Sequence, residues 1–169
     1  KERQAFPPRT RVRGFQAGTS PRNTLWRTIM AKIYYINLDS REDRKTLTES
    51  ELSRTGLPFE RVSAIKRANG ALGCCLSHIT ALNLAYDQGH DDVIIVEDDI
   101  VFETEPKQIQ QYLNGSCNLI LLSSHFPLVN LSRFNNGVAA VSNAQTTTAY
   151  LVKRSYIPTL LENFSETLA

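Results

Sequence analysis

Three short runs, KIYYINL at residues 32–38, VIIV at 93–96 and NLILLSS at 118–124, are apolar on nearly every successive position. Neighbouring side chains on a strand point to opposite faces, so such runs need cover above and below. The stretches between them carry helical spacing instead. Residues 41–54 place Leu47, Glu51 and Arg54 one and two turns apart, with Asp39-Ser40 ahead as an expected cap and Gly56 and Pro58 as the stop. FERVSAI at 59–65 alternates as a second strand. A polar connection, KRANGALG, then leads to a helix predicted from about Gly73 to Tyr86, with Cys75, Ile79, Leu82 and Tyr86 along one face and an end near Gly89. Pro106 opens a short helix, GVAAVS and TTTAYLVK read as two strands, and SYIPTLLENF reads as a last helix with Pro158 near its start. Buried strands alternating with helices predict an α/β domain with a mostly parallel sheet flanked by helices, whose ligands gather at the carboxyl ends of the strands.

Charge divides the chain at Met30. Seven of its 19 Lys and Arg but one of its 17 acids fall in residues 1–30, so the body that follows is mildly acidic. The first 30 residues hold Pro7-Pro8, scattered Gly and Ser and no periodic apolar face, and are expected to be a disordered basic extension ahead of one domain at residues 31–169. Phe6, Phe15 and Trp26 are too sparse for a base-stacking surface, which argues against a nucleic-acid partner. No apolar run approaches the roughly 18 residues of a membrane span, so no transmembrane segment is expected. Three cysteines, two of them adjacent at Cys74-Cys75, fit neither a disulfide framework nor a four-ligand zinc site. They suit a reducing compartment: the expected location is the cytoplasm, with peripheral membrane association left open.

The run VIIV passes straight into Glu97, Asp98 and Asp99. Three carboxylates in succession repel one another unless a cation, hydrogen bonds or full solvation offset the charge. If the strand continues through Asp99, alternation puts Glu97 and Asp99 on one side and Asp98 on the other. Two acids so placed can share a hard divalent cation, a diphosphate supplying further oxygens. The competing reading is a solvated acidic turn in which Asp caps a helix.

Four stretches in fixed order, YYINLDSREDR at residues 34–44, FERVSAI at 59–65, GCCLSHITAL at 73–82 and VIIVEDD at 93–99, together resemble family 25 glycosyltransferases, a group that includes bacterial lipooligosaccharide and collagen galactosyltransferases. The later TTTAYLVKRSYIPTLL is similar to the segment where that family places a threonine, a tyrosine and a returning helix, so the resemblance spans residues 32–164. It implies a GT-A (Rossmann-like) nucleotide-sugar-binding domain. It also implies transfer of a hexose, typically galactose from UDP-galactose, to a glycan or lipid-linked saccharide hydroxyl, with inversion and a divalent cation, Mn2+ or Mg2+.

By that resemblance Asn37 and Asp39 lie near the nucleotide, with Arg41 and Arg44 near its phosphates or in structural pairs. Gly73, Ser77, His78 and Asp98 join the nucleotide-sugar set, and Glu97 and Asp99 hold the metal. Gly73 would allow close backbone approach, with free N–H groups at the helix start binding phosphate or capping onto Ser77. His78 stands as candidate catalyst beside the alternative of a hydrogen-bonded structural histidine, and Cys74 and Cys75 read as small packing residues. The family's further acid would follow the last helix, where only Glu162 and Glu166 stand, so the expectation is a domain truncated at its C-terminus or using another base. The alternative function is a catalytically inactive glycosyltransferase-like fragment or nucleotide-binding module.

Overall fold

The structure, a computed structural model, describes residues 31–135 and 138–166; the expected basic extension lies outside the described residues. Five strands form one sheet: β1 (Ala31–Asn37), β2 (Phe59–Ser63), β3 (Asp92–Glu97), β4 (Leu119–Asn135) and β5 (Val138–Lys153). Their spatial order is β2-β1-β3-β5-β4. β1 pairs in parallel with β2 and with β3, whereas β5 runs antiparallel to both β3 and β4. Four strands thus share one direction and β5 opposes them, which is the mostly parallel sheet expected from the doubly apolar runs.

Alternation along the strands sorts the core into two faces. Tyr34, Ile36, Val93 and Ile95 pack with Ala81, Leu82, Ala85 and Ile157 from helices α2 (Gly70–Gln88) and α3 (Ile157–Glu166). Ile33, Tyr35, Ile94 and Val96 pack on the other side with Leu52 of α1 (Glu42–Ser53) and with Ile109 and Leu113, which lie in and just after a 3-10 helix at Pro106–Tyr112. Burying one such aliphatic side chain contributes about 1.5–3 kcal/mol, so the central strands are the rigid part of the molecule and their ends are well fixed.

Several elements depart from the sequence expectation. α1 has Arg41 at its N-cap with no side-chain cap bond, so Asp39-Ser40 does not cap it. Its buried residues are Thr48 and Leu52, while Leu47 is 68% exposed, so the expected Leu47–Glu51–Arg54 line faces outward. Gly56 does end this unit, in the left-handed region at φ 71°. α2 begins at Gly70, three residues early, because the Asn69 side chain accepts from the N–H groups of Ala71 and Leu72. Its buried face is Ser77, His78, Ala81, Leu82 and Ala85, and Tyr86 is exposed. The two strands expected at GVAAVS and TTTAYLVK are one strand, β5. Only Ala149–Lys153 of it pairs with β3, whereas β4 pairs with it from Val138 to Val152 in a long hairpin with several register shifts.

Candidate functional site

β1 and β3 run side by side with Ile36 opposite Glu97, so Asn37, Asp39, Glu97, Asp98 and Asp99 all lie at the carboxyl end of the sheet. The order of the pairs explains this: two parallel strands of matched register must exit together. β3 ends at Glu97 and residues 98–99 form a turn. The extended form on which the pairing of Glu97 with Asp99 rested therefore stops one residue into the acidic run, and Glu97 and Asp98 turn to different partners.

Asp98 faces α1. Its carboxylate accepts from Asn37 Nδ2 at 2.7 Å and from Arg44 at 2.9 Å, and its carbonyl accepts from Thr48 at 3.0 Å. Asp99 is half exposed and lies 3.6 Å from the same guanidinium. Asn37 is buried; its amide also donates to the Arg41 carbonyl, while its own oxygen accepts from Arg61 Nε at 2.8 Å. Arg61 reaches on to Asp39 at 2.7 Å, where Ser63 donates as well. The Ser63 hydroxyl and then Arg61 hold the Asp39 carboxyl below its ordinary value. One connected array therefore joins Asp39, Arg61, Asn37, Asp98 and Arg44 across the ends of β2, β1 and β3. The Arg41 backbone carbonyl joins the array through Asn37, but its guanidinium pairs with Asp43.

Glu97 turns to α2. Its Oε1 lies 3.4 Å from His78 Nε2 and 4.0 Å from the Cys74 thiol. His78 is 1% exposed, stacked between Tyr150 and Phe164. Its Nδ1 meets the Tyr150 hydroxyl at 3.1 Å, and Thr147 lies 3.3 Å from Nε2. Burial pushes the Tyr150 phenol well above its ordinary value, so it stays protonated. Cys74 is on the exposed side of the helix, not packed as expected, and desolvation and then the Glu97 charge push its thiol up. Cys75 is half-buried near the Phe164 carbonyl.

Gly73 lies inside α2, and its N–H is engaged by the Asn69 carbonyl, so it is not a free donor at a helix start. A Cβ on Gly73 would sit 2.5 Å from the Ile65 carbonyl oxygen. The close approach is thus to this chain's own backbone. Ser77 is buried, donating to the Gly73 carbonyl and accepting from Ile65 N–H at 2.8 Å, and so ties the exit of β2 to α2. Glu162 and Glu166 are exposed on α3.

The structure thus brings Asn37, Asp39, Arg44, Asp98 and Asp99 together on one side and His78 with Glu97 on the other, while Gly73 and Ser77 brace the α2 start. Sequence reasoning missed Arg61, Tyr150 and the exposed Cys74. A cation inside a five-residue strand, beside a strand ending in Asn and Asp, was the available signal for Arg61. For Tyr150 the signal was the resemblance of TTTAYLVKRSYIPTLL to a family segment with a threonine and a tyrosine, which did not by itself point to His78.

No curated protein matches the chain. Among solved structures, a glycosyltransferase involved in the glycosylation of the major capsid of PBCV-1 superposes with a TM-score of 0.52 at 12% identity, over 80% of this chain and 65% of that one. The present chain spans less than two thirds of that structure's length, and the likeness is one of fold. A protein described as a glucose-1-phosphate thymidylyltransferase from Bacillus anthracis, in complex with sucrose, gives a TM-score of 0.41 at 14% identity, over 76% of this chain and 55% of that one. Residues 68–168, which carry Gly73, Ser77, His78 and the three acids, match the profile of glycosyltransferase family 25 (LPS biosynthesis protein), and the chain belongs to that family.

Proposed function

We propose that the chain forms the nucleotide-sugar-binding part of a glycosyltransferase. Its reaction is transfer of a hexose, galactose from UDP-galactose, with inversion, onto a hydroxyl of a glycan or lipid-linked saccharide. The site of action in this reading is the cytoplasm, at the membrane surface where a lipid-linked acceptor would be met. No helix of the described residues is long and apolar enough to cross a membrane.

The observation that carries the reading is the Asn37–Asp98–Arg44 array beside Glu97 and Asp99 at the carboxyl end of a parallel sheet, where open α/β sheets take their ligands. Asp98 has both carboxylate oxygens engaged, so it positions Arg44. Asp99 is half exposed and Glu97 is 31% exposed, and both keep oxygen lone pairs for a ligand. Glu97 turns to His78 and Asp99 to Arg44, so in this reading a hard divalent cation, Mn2+ or Mg2+, arriving with the diphosphate would draw the two carboxylates together and neutralise the departing diphosphate. Arg44 adds fixed positive charge beside Asp98 and Asp99, and Asn37, Asp39 and Arg61 hold the strand ends against which a nucleotide would lie. Gly73, Ser77 and His78 support this side of the site by fixing α2 against β2 and β5.

A second reading, a family member that binds nucleotide without turnover, is favoured by one observation. The imidazole of His78 is sealed from solvent at 1% exposure, which keeps it from an acceptor hydroxyl.

Calorimetry with UDP, at fixed Mn2+ and with chelator, on the wild-type protein and on Asp99→Asn tests the binding reading. Mn2+ should tighten UDP binding in the wild type, and Asp99→Asn should lose on the order of tenfold of that gain, since cation and nucleotide affinities are reciprocally coupled. Equal UDP affinity in all four conditions would leave the acids as a plain turn. Sugar release from UDP-galactose then separates the enzyme from the binding module.

A further inference from the structure

We infer that Cys74, His78 and Glu97 form a site for a borderline divalent transition metal, zinc foremost, distinct in ligand chemistry from the hard-cation site proposed at Glu97 and Asp99. The inference stands on three side chains whose donor atoms all lie within 4.8 Å of one another. Cys74 and His78 are one turn apart on α2, so they project from one face of the helix, and Glu97 approaches from the end of β3.

The spacing suits a tetrahedral ion. Ligand bonds of about 2.0–2.3 Å put neighbouring donors of such a site roughly 3.3–3.6 Å apart. His78 Nε2 and Glu97 Oε1 are already at 3.4 Å. The thiol at 4.0 Å from the same oxygen has only to swing inward, which its place on the exposed side of the helix permits.

The imidazole is prepared for ligation. Ligating histidines characteristically donate their other ring N–H to an oxygen, which fixes the tautomer and aims the free lone pair. The Tyr150 hydroxyl, 3.1 Å from Nδ1, can accept that bond, and the stacked Phe164 and Tyr150 rings hold the imidazole plane. Nε2 then faces Glu97 and Thr147 over long contacts of 3.4 and 3.3 Å, neither of which a closely bound ion needs to preserve.

Charge and donor type select the ion. One thiolate, one carboxylate and one neutral imidazole balance a divalent cation, the thiol proton passing to solvent on ligation. A sulfur and a nitrogen donor disfavour Mg2+ and suit Zn2+ or Co2+. Three protein ligands leave the fourth position open toward the exposed side of Cys74, the arrangement of a zinc ion that keeps a water or a substrate atom.

Cobalt titration of the full chain, without nucleotide, tests this. The expected result is one equivalent of Co2+ giving a tetrahedral visible spectrum with a thiolate-to-cobalt charge-transfer band, both displaced by Zn2+. Cys74→Ser should remove the charge-transfer band, while Cys75→Ser and Cys117→Ser leave it. Asp99→Asn should also leave it, so that loss of Mn2+-dependent UDP binding and loss of the cobalt site are read separately. Because Cys74 is exposed, its replacement leaves the core intact, and an unchanged circular dichroism spectrum checks that. An octahedral spectrum, a charge-transfer band that survives Cys74→Ser, or one that vanishes in Cys75→Ser would overturn the inference.

Discussion

Gly73 shows how a single position can answer to the chain itself before any ligand. Read from sequence, a glycine before a Cys-Cys pair near a helix start suggests room for a phosphate. In the fold that room is filled by the Ile65 carbonyl, 2.5 Å from where a Cβ would stand, and Ser77 completes the same junction by bonding both Ile65 and Gly73. Gly73→Ala should therefore force the β2–α2 connection outward and destabilise the protein by about 1–3 kcal/mol, the usual cost of overpacking. Gly70→Ala is the control, because nothing lies within 4 Å of its Cβ position. Urea denaturation of both variants decides the matter: matching midpoints would mean that the junction yields freely and that Gly73 has another reason to be glycine.

Among the elements, the central strands and the helix stops were legible because their determinants are local, whereas α1 and α2 start from Arg41 and Asn69 and not from Asp39-Ser40 and Gly73. Continuous apolar runs gave β1 and β3, Pro106 opened the 3-10 helix, and Gly89 closes α2 in the left-handed region at φ 79°. The faces of the helices were less legible. α1 buries Thr48 and Leu52 because the Thr48 hydroxyl reaches the Asp98 carbonyl, a tertiary bond no periodicity reveals. In the acidic run Asp98 does lie opposite Glu97, but Asp99, expected beside Glu97, stands with Asp98 at Arg44. Alternation governs a strand only while the strand lasts, and here it ends at Glu97, so the turn leaves Asp99 beside Arg44 with Asp98.

The opposite end of β3 is pinned by Asp92, which is 1% exposed and joins Lys153 of β5 and the N–H of Asn114 at 2.8 Å. Asp92→Ala should cost about 3 kcal/mol, because it strands a largely buried ammonium and a backbone donor. Adding Lys153→Met to that variant should recover part of the loss, since the unpaired charge goes with it. Strictly additive losses in urea denaturation would show that the pair is not coupled.

At the scale of the whole molecule, the perturbed titrations predict a stability plateau from near neutrality to about pH 9, above which the Cys74 and Cys75 thiols, raised by desolvation from their ordinary 9.0, keep protons that the unfolded chain releases. Glu60 is held below its ordinary 4.5 by hydrogen bonds from Lys32 and then Gln88, Asp39 below its ordinary 3.8 by Ser63 and Arg61, and Asp43 near 2 by Arg41. In each case the folded carboxyl binds its proton less readily than the unfolded one. Their contribution is complete above the unfolded values and is lost as pH falls through the lower folded ones. His90 acts in the same direction at higher pH. Burial and the nearby Lys32 hold it below its ordinary 6.5, and its buried Nδ1 has no hydrogen-bond partner, so protonating it costs stability as pH falls below that value. Three tyrosines share the steep alkaline limb, Tyr34 with Tyr35 and Tyr150, each raised first by burial. Desolvation and then the Glu60 charge push the Tyr34 phenol up to about 12, so the folded state keeps a proton that the unfolded chain releases above 10. Stability held by that phenol is fully present below 10 and declines as pH rises from there toward 12. Urea midpoints measured from pH 3 to pH 11 should fall gently below about 6.5, more steeply below 4.5, and again from about 9, more steeply above 10. Glu60→Gln should flatten part of the acid limb, because its neutral amide has no proton to take up, and Tyr34→Phe should flatten its share of the alkaline limb, Tyr35 and Tyr150 keeping theirs. A Tyr34→Phe protein that keeps the wild-type alkaline slope would locate that loss in another group.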